Sequence, residues 1–187
     1  DAIITNAAGC GAQLKEYHHL FAGGTADAQM NWGSFENKII DVLEFLSGFS
    51  ELLEKLPFRD EEDTVLYDAP CHLMHAQKVD ENPRKLLGSL PGVTLVPLTE
   101  SNWCCGSGGI YNIVQPDLSK AVLERKIESV RQTLRAFPEA KSILTGNPGC
   151  LYQIRAGLRS NAIDLSILHP AVYLMERLKK NGSPQIP

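Results

Sequence analysis

An octapeptide near the start of the chain, Ile3-Ile4-Thr5-Asn6-Ala7-Ala8-Gly9-Cys10, is echoed far downstream by Ile143-Leu144-Thr145-Gly146-Asn147-Pro148-Gly149-Cys150. Each copy reads as a short apolar strand entering a tight turn that ends in Gly-Cys, with a helix near the cysteine, over residues 14–21 after the first and 151–158 after the second. A strand followed directly by a helix favours crossover connections, so the chain is expected to build βα units around a mainly parallel sheet. Apolar, β-branched runs at residues 2–5, 64–67, 93–96, 142–145 and 163–168, bounded by Gly, Pro, Asn or Asp, supply about five strands. The fold class expected is therefore α/β, a mainly parallel sheet flanked by helices. If the echo marks a duplication, the chain holds one complete cysteine-rich module at residues 64–180 and the end of an upstream one at 1–22. A helical connection at 23–63 joins them, and 181–187 is a tail.

Helical signals fill the intervals. Ser34 is placed to cap a helix whose Ile39, Val42, Leu43 and Leu46 repeat at i, i+3, i+4, i+7. Gln115-Pro116-Asp117 opens another, carrying Leu123, Ile127, Val130 and Leu134 until Phe137-Pro138 stops it. A last helix follows His169-Pro170 as far as Leu178, before the frayed sequence Asn181-Gly182-Ser183-Pro184. Residues 23–33 and the acidic stretch 59–63 read as exposed loops without chemistry.

The totals exclude several function classes. Eighteen basic residues against 22 acidic ones leave a net charge of −4, with both signs interspersed, and this lacks the basic stripe that nucleic acid requires. The sequence shows no apolar run near the roughly 18–20 residues of a membrane helix, so a soluble chain is expected. Five cysteines cannot all pair within one chain, and their spacing fits no secreted disulfide framework, which points to a reducing, cytoplasmic compartment. The chain starts inside a strand without an initiator Met and is expected to be part of a longer protein.

Four of those cysteines stand at loop mouths beside Gly and Pro. Cys71, in Asp68-Ala69-Pro70-Cys71-His72, and Cys150 each lie just past the carboxyl end of a strand, where open α/β sheets gather functional groups. Between them, Trp103-Cys104-Cys105-Gly106-Ser107-Gly108-Gly109 places two adjacent thiols on a flexible turn. A vicinal disulfide is strained, whereas thiolates are soft donors suited to zinc or an iron–sulfur cluster. The glycines let backbone N–H groups approach sulfur, and helix amino ends near Cys10 and Cys150 favour negative charge there. Parallel strands would bring Cys71, Cys104, Cys105 and Cys150 to one edge as a metal or cluster site. No local Cys-x-x-Cys pair identifies the metal.

Pro70-Cys71-His72-Leu73, Cys104-Cys105-Gly106 and Asn147-Pro148-Gly149-Cys150 resemble the cysteine-rich CCG domain of heterodisulfide reductases and related oxidoreductase subunits. Cys104 to Asn112 with Gln115-Pro116, together with Asn82-Pro83-Arg84-Lys85-Leu86-Leu87, is most similar to the iron–sulfur subunits of glycolate oxidases. The resemblance implies an electron-transfer subunit working with FAD-bearing flavoprotein subunits that oxidise a 2-hydroxy acid, with peripheral membrane or quinone association and no catalysis by the chain alone. It implies that Cys71, Cys104, Cys105 and Cys150 hold a cluster of the 4Fe-4S type or, instead, zinc, and that Cys10 is a ligand of the previous module. The family pattern ends in Cys-x-x-Cys, and here Asn147 stands at the first of those positions, with Ala7 at the equivalent place in the echo.

Other residues are read more plainly. His72 and His75 are potential ligands or proton carriers beside Cys71, His169 is a hydrogen-bonded structural histidine, and His18 and His19 are helix surface. Trp103 and Tyr111 are expected to pack in the core, and the glycines at 106–109 lack the spacing of a phosphate loop. Two rival functions share the cysteine site: a thiol or disulfide reductase acting directly on sulfur, and a structural zinc module.

Overall fold

The computed structural model describes residues 1–21 and 34–178. Its main sheet has four parallel strands in the order β4-β3-β5-β6, where β3 is Asp63–Tyr67, β4 Val93–Pro97, β5 Ser142–Leu144 and β6 Ser166–Leu168. A separate parallel pair joins β1 (Ile3–Thr5) to β2 (Ile39–Asp41).

Side-chain alternation along the strands creates two cores. Leu66, Ile143, Val96 and Ile167 face one side, where they meet Ile127 and Val130 of α6 (Pro116–Ala136) and Ile154 and Leu158 of α7 (Pro148–Ser160). Val65, Tyr67 and Leu144 face the other. There they meet Leu43 of α2 (Val42–Ser47), Leu86 and Leu87 of α4 (Glu81–Gly88), and Tyr173 and Leu174 of α8 (Pro170–Arg177). Two short helices, α3 (Ser50–Leu53) and α5 (Tyr111–Val114), the eight-residue α1 (Ala8–Lys15) and a π-helical turn at His72–Ala76, directly after Cys71, are also present. The result is a helix–sheet–helix sandwich, the α/β class the sequence implied.

Several expectations change in detail. The helix expected from Ser34 is broken: residues 34–36 are helical, Ile39–Asp41 is a strand, and α2 starts only at Val42. Pairing of Ile39 with Ile3 buries its side chain, while the buried Asp41 ends the strand and accepts the Leu43 N–H at 2.8 Å as the cap of α2. The connection at residues 23–63 is therefore not purely helical, and the expected first strand belongs to the small sheet rather than the main one. Ser166–Leu168 is all that pairs of the strand expected at 163–168. Helix α1 begins at Ala8, before Cys10 rather than after it, and Tyr17–Phe21 follows as a separate 3-10 turn, where His18 meets Glu36 at 2.7 Å. The helix from Gln115 to Phe137 and the one after His169 form where expected. The loop expected at 23–33 and the frayed end at 181–184 lie outside the described residues.

The acidic stretch at 59–63 is pinned by a buried cation. Arg177 Nη2 donates to the carbonyls of Arg59, Glu61 and Pro91 at 2.7, 2.9 and 2.6 Å. Among the described residues no helix is long and apolar enough to cross a membrane.

Candidate metal centre

Strand order decides which loops meet. In β4-β3-β5, the segments leaving the three carboxyl ends are the loop carrying Cys104 and Cys105, the buried run Asp68-Ala69-Pro70 leading to Cys71, and the turn into α7. The fourth segment comes from the small sheet: Cys10 is the third residue of α1, as Cys150 is the third of α7. Both echoed turns have extended residues before the helix, Ala7 at φ −134° and ψ 103°, Asn147 at φ −139° and ψ 119°. The octapeptides thus share a conformation as well as a pattern.

All five cysteines line one cavity of about 450 Å³, together with Ala7, Gly9, His72, Ser107, Asn147 and neighbouring residues. Cys10 therefore joins the same cavity wall as the other four. Cys105 and Cys150 are buried, Cys71 and Cys104 half-buried, and Cys10 exposed. The five thiols are free cysteines. The sulfurs are close enough to act on one another electrostatically: Cys104 on both Cys71 and Cys105, and Cys105 on Cys150.

The thiols shift one another in opposite directions. Hydrogen bonds from Cys105 first and Cys71 second hold the Cys104 thiol down at about 2, helped by the Gly106 N–H at 3.3 Å and the charge of Lys126. The same contacts act oppositely on the donors: the hydrogen bond to Cys104 is the largest cause pushing the Cys71 and Cys105 thiols up, with burial adding to it. A soft, electron-rich set whose members suppress one another's ionisation is one that cationic iron relieves, because metal binding replaces thiol protons. The amino ends of α1 and α7 face the same space and favour negative charge in it.

The donor set is soft: thiolates suit zinc and iron–sulfur clusters alike, and a polynuclear cluster would spread them over several iron atoms.

The loop geometry requires glycine at one position. Gly106 has φ +86°, and a Cβ there would sit 2.5 Å from the Ser119 carbonyl, whose own hydroxyl donates to Gly106 O at 2.8 Å. Gly106→Ala is expected to cost about 1–3 kcal/mol through backbone strain. Thermal unfolding should show a clear fall in Tm, whereas Gly88→Ala, where a Cβ meets nothing within 4 Å, should leave it unchanged or slightly raised.

The remaining residues singled out from sequence sort by position. His72 lines the cavity with Nδ1 3.7 Å from Cys71 Sγ, while His75 is exposed and outside it. His169 accepts the Ala171 N–H at Nδ1 at 3.1 Å, a structural role, and burial lowers its pKa. Trp103 is not a core residue: it is 46% exposed, with the Arg125 guanidinium 3.1 Å from its ring centroid, because the loop turns its face outward. Tyr111 is half-buried at the start of α5.

Sequence reasoning missed Lys126. It is buried on α6, donates to Asp68 Oδ1 at 2.8 Å, and reaches the carbonyls of Glu100 and Ser101 at 3.5 and 3.4 Å. Thr145 Oγ1 donates to the other Asp68 oxygen at 3.0 Å. Burial raises the Asp68 carboxyl and Lys126 pulls it back. The pair ties the segment before Cys71 to the segment before Cys104. A sequence signal existed, since Lys126 stands three residues after Leu123 and four before Val130, on the apolar face of its own helix.

Residues 65–155 match the family model described as a cysteine-rich domain, CCG. The chain is 34% identical to the probable glycolate oxidase iron-sulfur subunit of Bacillus subtilis (strain 168), over 94% of this chain and 38% of that protein. It is 28% identical to a fumarate reductase (CoM/CoB) subunit of Methanothermobacter marburgensis, over 90% of this chain and 31% of the other. With the lactate utilization protein A of Oceanobacillus iheyensis it shares 29% identity, over 89% of this chain and 65% of the relative. The chain thus spans little more than a third of the length of the first of these relatives.

Proposed function

We propose that this chain, whose residues 65–155 match the family model described as a cysteine-rich domain, is the cluster-bearing part of an iron–sulfur electron-transfer subunit in a 2-hydroxy acid oxidoreductase, of glycolate oxidase type. The observation that carries this reading is the convergence of five free thiols, from four separate segments, on one cavity. Cys71, Cys104, Cys105 and Cys150 would hold a cluster of the 4Fe-4S type, with Cys10, which lines the same cavity, as a further ligand or the ligand of an adjoining module. Bound there, such a cluster supplies reversible one-electron storage.

The protein's own residues set the conditions for that storage. Cys105 and Cys150 lie in the apolar core, which limits water at the sulfurs, and the Gly106 N–H donates to Cys104. The cavity is lined by five thiols together with His72, Gln13, Ser107 and Asn147, and in this reading the substrate chemistry is assigned to FAD on flavoprotein partners rather than to the isolated chain. The segment continuing from Gly109 exposes Ile110, Ile113 and Val114 at 71, 75 and 57%, an apolar surface beside the cavity that suits a protein partner. The relatives' names span glycolate, fumarate and lactate, which supports leaving substrate choice to the partners. The compartment proposed is the cytoplasm, with association at the inner face of the membrane through the complex and its quinone acceptor.

A second reading, direct reduction of a disulfide at the cluster, is favoured by the relative whose name carries the thiols CoM and CoB. One experiment separates the two. The intact protein, purified anaerobically, is mixed with its flavoprotein subunits and glycolate or lactate, and its visible absorption is followed. Bleaching that requires both hydroxy acid and flavoprotein is expected. Disulfide reduction by the chemically reduced protein without flavin subunits, and no bleaching with them, would replace this reading with the second.

A further inference from the structure

Asn147 precedes α7 but does not cap it: its side chain makes no capping hydrogen bond to the helix. Its amide instead spans the two echoed turns. Oδ1 accepts the Gly9 N–H at 3.2 Å, and Nδ2 lies 3.3 Å from Cys150 Sγ. The first contact fixes the second. A backbone N–H pairs only with the amide oxygen, so the amide cannot flip without losing Gly9, and Nδ2 must present its hydrogens toward sulfur. The Gly9 turn is itself held in place, since the Ala8 N–H donates to Gly146 O at 3.2 Å and Gln77 Nε2 donates to Ala8 O at 2.8 Å.

We propose that Asn147 is a positioning residue that sets the reduction potential of the centre: the first echoed turn locks its amide, and the locked amide donates a hydrogen bond to the Cys150 sulfur. The proposal rests on the iron–sulfur reading of the cavity. A donor to a ligand sulfur stabilises the more negative, reduced state, so removing it makes reduction harder. Hydrogen bonds to sulfur are one of the levers that set such potentials over a wide range.

Two variants separate the donor from the clasp. Asn147→Ala loses both contacts, whereas Asn147→Asp keeps an oxygen for the Gly9 N–H and puts a carboxylate where the donor stood, so its added negative charge should make it the harder of the two to reduce. Iron and sulfide content and the midpoint potential are measured on the intact, anaerobically purified protein. Both variants are expected to retain iron and to be harder to reduce, with the reduced-to-oxidised ratio at the wild-type midpoint lowered about fivefold to tenfold, where tenfold is about 59 mV for one electron. Wild-type potentials in both iron-loaded variants would overturn the assignment. So would loss of iron from Asn147→Asp, which would make the residue a requirement for holding the cluster rather than for tuning it. Wild-type protein lacking iron would instead remove the cluster reading itself, and this proposal with it.

Discussion

Cys104→Ser and Cys150→Ser, each made alone in the anaerobically purified protein, are expected to lower bound iron and sulfide at least roughly tenfold, given that even the partners of metal ligands change affinity about 10–100-fold. Cys104 is the sulfur that the Gly106 N–H supports at 3.3 Å and the one whose thiol the neighbouring cysteines push down. Cys150 comes from a different strand, so its replacement tests whether distant segments share one ligand set. A purely apolar role predicts another pattern. Cys105 and Cys150 sit in the core beside Ile143 and Ile154, and as core residues they would tolerate Ala with a modest loss of stability and no change in metal. Iron analysis and circular dichroism on the Ser and Ala variants together distinguish a lost ligand from a lost fold. Unchanged iron in folded Cys104→Ser and Cys150→Ser would contradict the assignment.

The second large effect is expected at the buried ion pair. Lys126→Met leaves the Asp68 carboxylate without its cation, and breaking one side of such a pair costs about 3–5 kcal/mol, a large share of the roughly 5–15 kcal/mol that holds a domain together. Both side chains are out of water, at 0 and 2% exposure, so solvent cannot take the partner's place. The double replacement Lys126→Met with Asp68→Leu should recover much of the loss, since a paired apolar substitution leaves no orphan charge. Denaturant unfolding of the two single variants and the double variant measures the coupling. Because Asp68 precedes Cys71 by three residues and Lys126 holds the Glu100 and Ser101 carbonyls just before Cys104, both cysteine segments loosen with the pair. Single variants within about 1 kcal/mol of wild type would show that the pair is not a structural tie.

Local pattern revealed most of the main sheet. Residues 64–67, 93–96 and 142–145 are short apolar runs between turn residues, and their strands form because the same residues face cores on both sides of the sheet. The convergence of Cys71, Cys104, Cys105 and Cys150 was legible for the same reason: parallel strands put their carboxyl ends together whatever their separation in sequence. Ile39 was not. With Val42, Leu43 and Leu46 it satisfies a helical stripe, and only its non-local pairing with Ile3 makes it a strand; Asp41, an N-cap residue in mid-pattern, was the local hint.

Burial of polar groups was the other blind spot. Composition places Lys on the surface, yet Lys126 is enclosed because a carboxylate and two carbonyls await it past the carboxyl ends of β3 and β4. Conversely, Trp103 looked like core and stands outside under Arg125. Asn147 was visible in the sequence only as a departure from a cysteine pattern. Its two hydrogen bonds depend on the first echoed turn lying against the second, which no local spacing encodes.

The most direct test of the central claim is the iron, sulfide and zinc content of the anaerobically purified protein, read with its Mössbauer spectrum. A cluster at the cysteine cavity predicts iron and acid-labile sulfide in equal amounts, roughly four of each per site, with the spectrum of thiolate-ligated iron. Colourless protein with one zinc ion per chain and no sulfide would contradict it.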